Sequence, residues 1–151
     1  MRRWSRWATD DEGSAALEFI TVGLILLVPL VYLIVALGVI QEQTLGVEAA
    51  ARHTARVVSL APDAETAAAR GEQVIAGIVQ EYGLDPDAVA VDLSCVPAGA
   101  ECPAAGATVT VTVAARVTLP LMPSLFGLDR STAIPVEAAA VQKISRLWGG
   151  G

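Results

Sequence analysis

The longest apolar stretch of the chain runs from Phe19 to Ile40 and contains no charged residue. As a helix, its 22 residues would span roughly 33 Å, about the thickness of the hydrocarbon core of a bilayer. A cleaved secretory signal needs an apolar stretch of only about 7–15 residues with a small-residue cleavage site after it, and neither condition is met here. The pattern therefore predicts a retained transmembrane helix over residues 14–40.

Helical periodicity continues past this stretch, over residues 41–61. Only Gly46 interrupts it, and Pro62 is predicted to end it. One face is apolar and is predicted to pack against a core, at Val47, Ala51, Ala55, Val58 and Ala61. Another face carries charges four residues apart, in the order that favours ion pairs between neighbouring turns, at Glu48, Arg52 and Arg56.

A second helix is predicted to begin after Asp63, a good N-cap residue, and to run to about Tyr82. Its buried face is predicted to comprise Gly71, Val74, Ile75, Ile78 and Tyr82. Gly83 is suited to the left-handed conformation that often ends a helix, with Leu84 folding back onto Val79. The sequence from Asp85 to Asp87, which contains a proline, then predicts a turn.

Alternating apolar residues predict three strands after this turn. The first carries Val89, Val91, Leu93 and Cys95, the second runs over residues 109–119, and the third spans roughly residues 132–144. The fold class is therefore α+β: a long N-terminal transmembrane helix that extends outside the membrane, a second helix, and a small antiparallel three-stranded sheet. We expect this domain to occupy residues 62–146, and residues 147–151 to form a flexible tail.

Composition and charge restrict the possible functions. The chain has 151 residues, 54% of them hydrophobic, and a formal net charge of −6, which argues against a nucleic-acid-binding surface. The single histidine, His53, has no nucleophile or second ligand near it in the sequence, and is interpreted as a surface residue. No catalytic triad, paired-carboxylate site or phosphate-binding glycine loop is visible. We therefore expect a protein that is not an enzyme and that has no metal ion or cofactor.

The residues that flank the apolar stretch predict its orientation. Arg2, Arg3 and Arg6 precede it, whereas Glu42 and Glu48 are the first charged residues after it. Positive charge favours the cytoplasmic side. We expect a single-pass protein of the cytoplasmic (inner) membrane, with its N-terminus inside and its C-terminal domain outside.

A short motif precedes the apolar stretch: Gly13-Ser14-Ala15-Ala16-Leu17-Glu18-Phe19. It resembles the class III signal of type IV pilins and pseudopilins, which a prepilin peptidase cuts after the glycine. The resemblance implies a leader over residues 1–13, a new N-terminus at Ser14, and a mature chain of 151 − 13 = 138 residues.

Glu18 has an assembly role in this interpretation. A carboxylate at the rim of an apolar span is costly unless it has a partner. Cleavage would create an ammonium group at Ser14, and in a bundle of such helices this group can pair with Glu18 of a neighbouring chain. Before cleavage that ammonium group does not exist, so processing would permit assembly.

The longer stretch over residues 12–60 resembles the TadE-like minor pseudopilins of tight-adherence (Flp) pilus systems. Members have a small-residue motif that ends in Glu-Phe, here Glu18-Phe19, then an apolar helix and a region rich in alanine and arginine. The resemblance implies a pilin-like subunit whose partners are the prepilin peptidase, other pilin or pseudopilin subunits, assembly-platform proteins and membrane lipid. The alternative is an unprocessed, signal-anchored protein that presents an extracytoplasmic binding domain.

Two further features depend on location and packing. Cys95 and Cys102 flank a turn-like sequence between the first two strands, and we expect them to form a disulfide if the domain lies outside the cytoplasm. Two cysteines at this spacing do not make a metal site, and there is no CxxC motif to support a redox role. The apolar connection over residues 121–129 is either a cover for the sheet or a contact surface for a partner.

Overall fold

The computed structural model describes residues 11–98, 101–120 and 133–149, with the side chains of residues 11–14 left out. It divides the chain into two compact units, residues 1–37 and 38–151. The predicted leader lies largely outside the described residues, and the apolar connection over residues 121–129 lies wholly outside them.

Helix α1 runs from Asp11 to Leu60 and includes Pro29. In the first unit its large apolar side chains are exposed, and Phe19 is 81% exposed. By length and composition, α1 is the one helix among the described residues that could cross a membrane. The long N-terminal apolar helix predicted from the sequence is therefore confirmed.

In the second unit, the last part of α1 presents small apolar residues to a core. The buried hydrophobic residues in this part of α1, and at Ala61 directly after it, are those predicted from the periodicity together with one more alanine: Val47, Ala50, Ala51, Ala55, Val58 and Ala61. Arg52 Nη2 lies 2.9 Å from Glu48 Oε2 on the exposed face, as the spacing predicted. His53 is exposed.

Helix α2 runs from Ala64 to Glu81 and is capped at both ends. The backbone N–H of Thr66 donates to Asp63 Oδ1 at 2.7 Å, which holds the pKa of this carboxyl below its usual value. At the other end, Gly83 has a φ of +60°, and the Leu84 N–H donates to the Val79 carbonyl at 2.9 Å. Both predicted caps are confirmed.

A short 3-10 helix, Pro86–Ala88, leads into the sheet. The strands are β1 (Ala90–Val96), β2 (Thr108–Val117) and β3 (Ile134–Lys143), antiparallel and in the order β1-β2-β3. This confirms the predicted α+β fold with a three-stranded antiparallel sheet. The inward-facing residues of β2 are buried against the helices, at Val109, Val111, Val113, Ala115 and Val117.

The structure differs from the sequence-based expectation at two places. Val91 and Leu93 belong to the apolar alternation that predicts the first strand, but in β1 they remain 40% and 39% exposed. The helices bury the central strand and leave the inner face of the edge strand β1 partly open. Trp148 was expected in a flexible tail, but it packs against the core, and its backbone N–H donates to the Ser145 carbonyl at 3.2 Å.

Candidate functional site

The residues of the predicted processing motif lie at the beginning of α1. Gly13 and Ser14 belong to the first turn of this helix, whose backbone N–H groups have no partners within the helix. A peptide bond in the first turn is therefore easier to unwind and present to a protease than one in the helix interior. Glu18 is exposed and follows Ser14 by four residues, which is about 6 Å along a helix.

A chain that began at Ser14 would have Glu18 close to the first turn of its helix. A carboxylate there interacts favourably with the positive end of the helix dipole. It also interacts favourably with the terminal ammonium group, which the positive end of the dipole repels. Phe19, next to Glu18, begins a helix surface on which every leucine, isoleucine and valine up to Leu37 is exposed. The motif thus stands at the rim of a surface that needs lipid or other helices to cover it.

The cysteines expected to pair do form a disulfide. Cys95 lies in β1 and Cys102 in the connection to β2, with their Cα atoms 5.7 Å apart. The bond closes the connection between the two strands. Such a bond is typical of a domain in an oxidising compartment, because disulfides persist outside the cytoplasm.

The structure brings no metal-binding cluster together among the residues it describes. No group of three or more His, Cys, Asp or Glu side chains within residues 11–98, 101–120 and 133–149 is placed to hold a metal ion. His53 lies on the surface.

One apolar cavity of the domain was not expected from the sequence. It is a groove of about 510 Å³ between α2 and β1, with α1 at its base. Its walls include Ala68, Glu72 and Ala76 on α2 and Val91 and Leu93 on β1. We refer to it as the acidic groove, because Glu72 is the one charged residue in its lining and the surrounding segment is acidic.

Thr54 lies at the base of the acidic groove and is 2% exposed. Its Oγ1 has no hydrogen-bond partner among the described residues. A buried hydroxyl without a partner is unfavourable.

A second surface collects positive charge where α1 ends and the chain leaves β3. Arg56, Lys143 and Arg146 line a depression of about 650 Å³ that has no acidic residue in its lining. Two exposed leucines lie beside it, Leu60 at 69% and Leu147 at 86%. We call this surface the basic end. The sequence signals it weakly, because these residues come from two segments that only the fold brings together.

Comparison of the chain with protein-family models, with curated proteins and with solved structures gives no match.

Proposed function

We propose that this chain is a minor pseudopilin, a structural and assembly subunit of a tight-adherence (Flp) type pilus. A prepilin peptidase cuts it after Gly13, and the mature chain packs with other pilin-type subunits through α1. The domain from residue 62 onward lies outside the cytoplasmic membrane, while the N-terminus before cleavage lies inside.

The observation that carries this proposal is the position of Gly13 and Glu18 at the start of α1. The glycine stands in the first turn, where a protease can gain access. The glutamate follows five residues later and is directly succeeded by the exposed apolar surface. A carboxylate at the edge of that surface is costly unless it has a partner of opposite charge. Cleavage after Gly13 would create such a partner, the ammonium group of Ser14 in a neighbouring chain.

The fold gives the proposal further support. The same helix that carries the apolar surface continues to Leu60 and supplies one side of the core of the second unit. The helix is therefore an integral part of the folded chain, as a subunit that assembles through its helix requires. The disulfide supports an extracytoplasmic location for the domain.

Processing tests the proposal in a host with and without its prepilin peptidase. We expect the wild-type chain, tagged at its C-terminus, to lose residues 1–13 only when the peptidase is present. Gly13→Asp should remain full length and still enter the membrane, because the apolar stretch is unchanged. Gly23→Ala, a glycine change further along α1 with open space around it, should be processed like the wild type.

A second candidate function is a signal-anchored binding protein, which the acidic groove favours. An apolar cavity of this volume is within the range of ligand-binding pockets. This function needs no cleavage and no carboxylate at position 18. An uncut wild-type chain in the presence of active peptidase would favour it and contradict the pseudopilin proposal.

A further inference from the structure

The charges of the extramembrane domain are segregated along the chain. Residues 62–103, which form α2, β1 and their connections, contain eight carboxylates and one arginine. The basic end is formed by residues 56–60 and 143–147, which contain three cations and no acidic side chain. Of these residues, Glu72 lines the acidic groove, and the three cations line the basic end. Opposite charges on two surfaces favour contact between them when two molecules meet.

We propose that two copies of this chain dock head to tail, with the basic end of one copy seated in the acidic groove of the next. The proposal does not depend on cleavage after Gly13. It adds a contact between extramembrane domains to the packing of the N-terminal helices.

Both surfaces expose apolar side chains that can pack against each other. The acidic groove exposes Val91 and Leu93 on β1. The basic end exposes Leu60 and Leu147 beside its cations. Burying leucine side chains against β1 and the alanines of α2 would remove apolar surface on both copies from water, at about 25 cal/mol per Å².

The charges of the two surfaces are complementary as well. Lys143 and Arg146 approach Glu72 and the carboxylates that flank the groove in the sequence, Asp85 and Asp87 on either side of Pro86. Among the residues that the structure describes, Arg56, Lys143 and Arg146 form no ion pair within the chain.

The two surfaces differ from each other, so the contact is heterologous. Each copy uses its acidic groove for one neighbour and its basic end for the other. A pair of copies therefore leaves one groove and one basic end free, and further copies can add to the row.

Cysteine cross-linking of the full chain in membranes tests the proposal. Two differently tagged copies are expressed together, one with Ala76→Cys in the acidic groove and the other with Ser145→Cys at the basic end. The natural cysteines are both in the disulfide, so a short bis-maleimide reacts only with the introduced ones. We expect cross-links between the two different variants and none between two copies of the same variant.

Charge reversal gives the matched controls. Glu72→Lys in the groove copy, or Lys143→Glu in the basic-end copy, should lower the cross-linked yield at least about fivefold, because each replaces attraction by repulsion. Combining the two reversed copies should restore the yield. Gln73→Lys, which adds the same charge to an exposed α2 residue outside the groove lining, should leave it unchanged.

Several results would overturn the proposal. They are cross-links between identical variants, cross-links only to another protein, or no cross-link in any combination. Charge reversals without effect would do the same. Running the assay in cells that lack the prepilin peptidase separates this outcome from the question of processing, because the contact is expected in the uncut chain too.

Discussion

Gly46 lies where the end of α2 approaches α1 closely. A Cβ atom added there would lie 2.7 Å from Cβ and Cγ of Tyr82, the C-cap residue of α2. The Cβ atom of Tyr82 is bonded to its backbone and cannot move by rotation of the side chain. The glycine that interrupts the periodicity of α1 is therefore what lets the end of α2 approach.

Gly46→Ala should destabilise the domain, since α1 and the end of α2 must move apart. We expect a loss of about 1–2 kcal/mol in the free energy of unfolding, after the better helix propensity of alanine is included. Gly77→Ala is the matched control, because Gly77 lies in α2 with nothing within 4 Å of an added Cβ. It should gain about 0.5–1 kcal/mol. Denaturant unfolding of both variants in lipid nanodiscs measures the difference, and equal stabilities would contradict the packing argument.

Glu18 is predicted to act in assembly and not in cleavage. Glu18→Gln keeps the size of the side chain but removes its charge, so the pair with a neighbouring ammonium group is lost. Breaking an ion pair in an apolar bundle is strongly destabilising, and we expect at least about a tenfold drop in chain recovered from sheared filaments. Cleavage should be unaffected. Glu42→Gln, a surface glutamate beyond the apolar stretch, is the control; a similar loss there would show that the effect is general.

At the scale of secondary structure, local patterns determined most elements. The helical spacing from Val47 to Ala61 was sufficient to predict which face of α1 is buried, and Asp63 and Gly83 were sufficient to place the ends of α2. The strands followed from alternation, because a residue pattern of period two suits a half-buried strand. These features depend on neighbours in the sequence, which is why they could be read from it.

Features that depend on how the elements pack could not be predicted in this way. Val91 and Leu93 alternate as well as the residues of β2, but only the packing of the helices decides which strand is covered. The contact of Gly46 with Tyr82 joins residues 36 positions apart in the sequence. The acidic groove and the basic end likewise appear only when separate segments meet. Gly13 and Glu18 were identified through a resemblance to a family signal and through their place beside the apolar stretch.

The disulfide fixes the connection between β1 and β2. Replacing both Cys95 and Cys102 by serine should lower the free energy of unfolding by about 2–3 kcal/mol, since the unfolded chain regains the freedom of the closed loop. The domain should keep its fold, because its buried core residues lie elsewhere on β2 and the helices. Unfolding of the double variant beside the wild type measures the loss. Equal stability of the two proteins would show that the disulfide has no structural role.

The two units of the chain differ in the kind of surface that they expose. Residues of α1 up to Leu37 expose an apolar surface that water disfavours, whereas the second unit has its own core and a charged exterior. Lipid can cover the apolar surface of a single chain, and neighbouring helices can cover it in an assembly. The proposed cleavage after Gly13 is the step that would favour the second arrangement.

The intact mass of the wild-type chain, extracted from membranes of cells with an active prepilin peptidase, tests this account most directly. We predict a chain that begins at Ser14 and retains all 138 residues from there to Gly151, from 151 − 13. A chain that still begins at Met1, or one cut at a site other than the Gly13–Ser14 bond, would contradict the account.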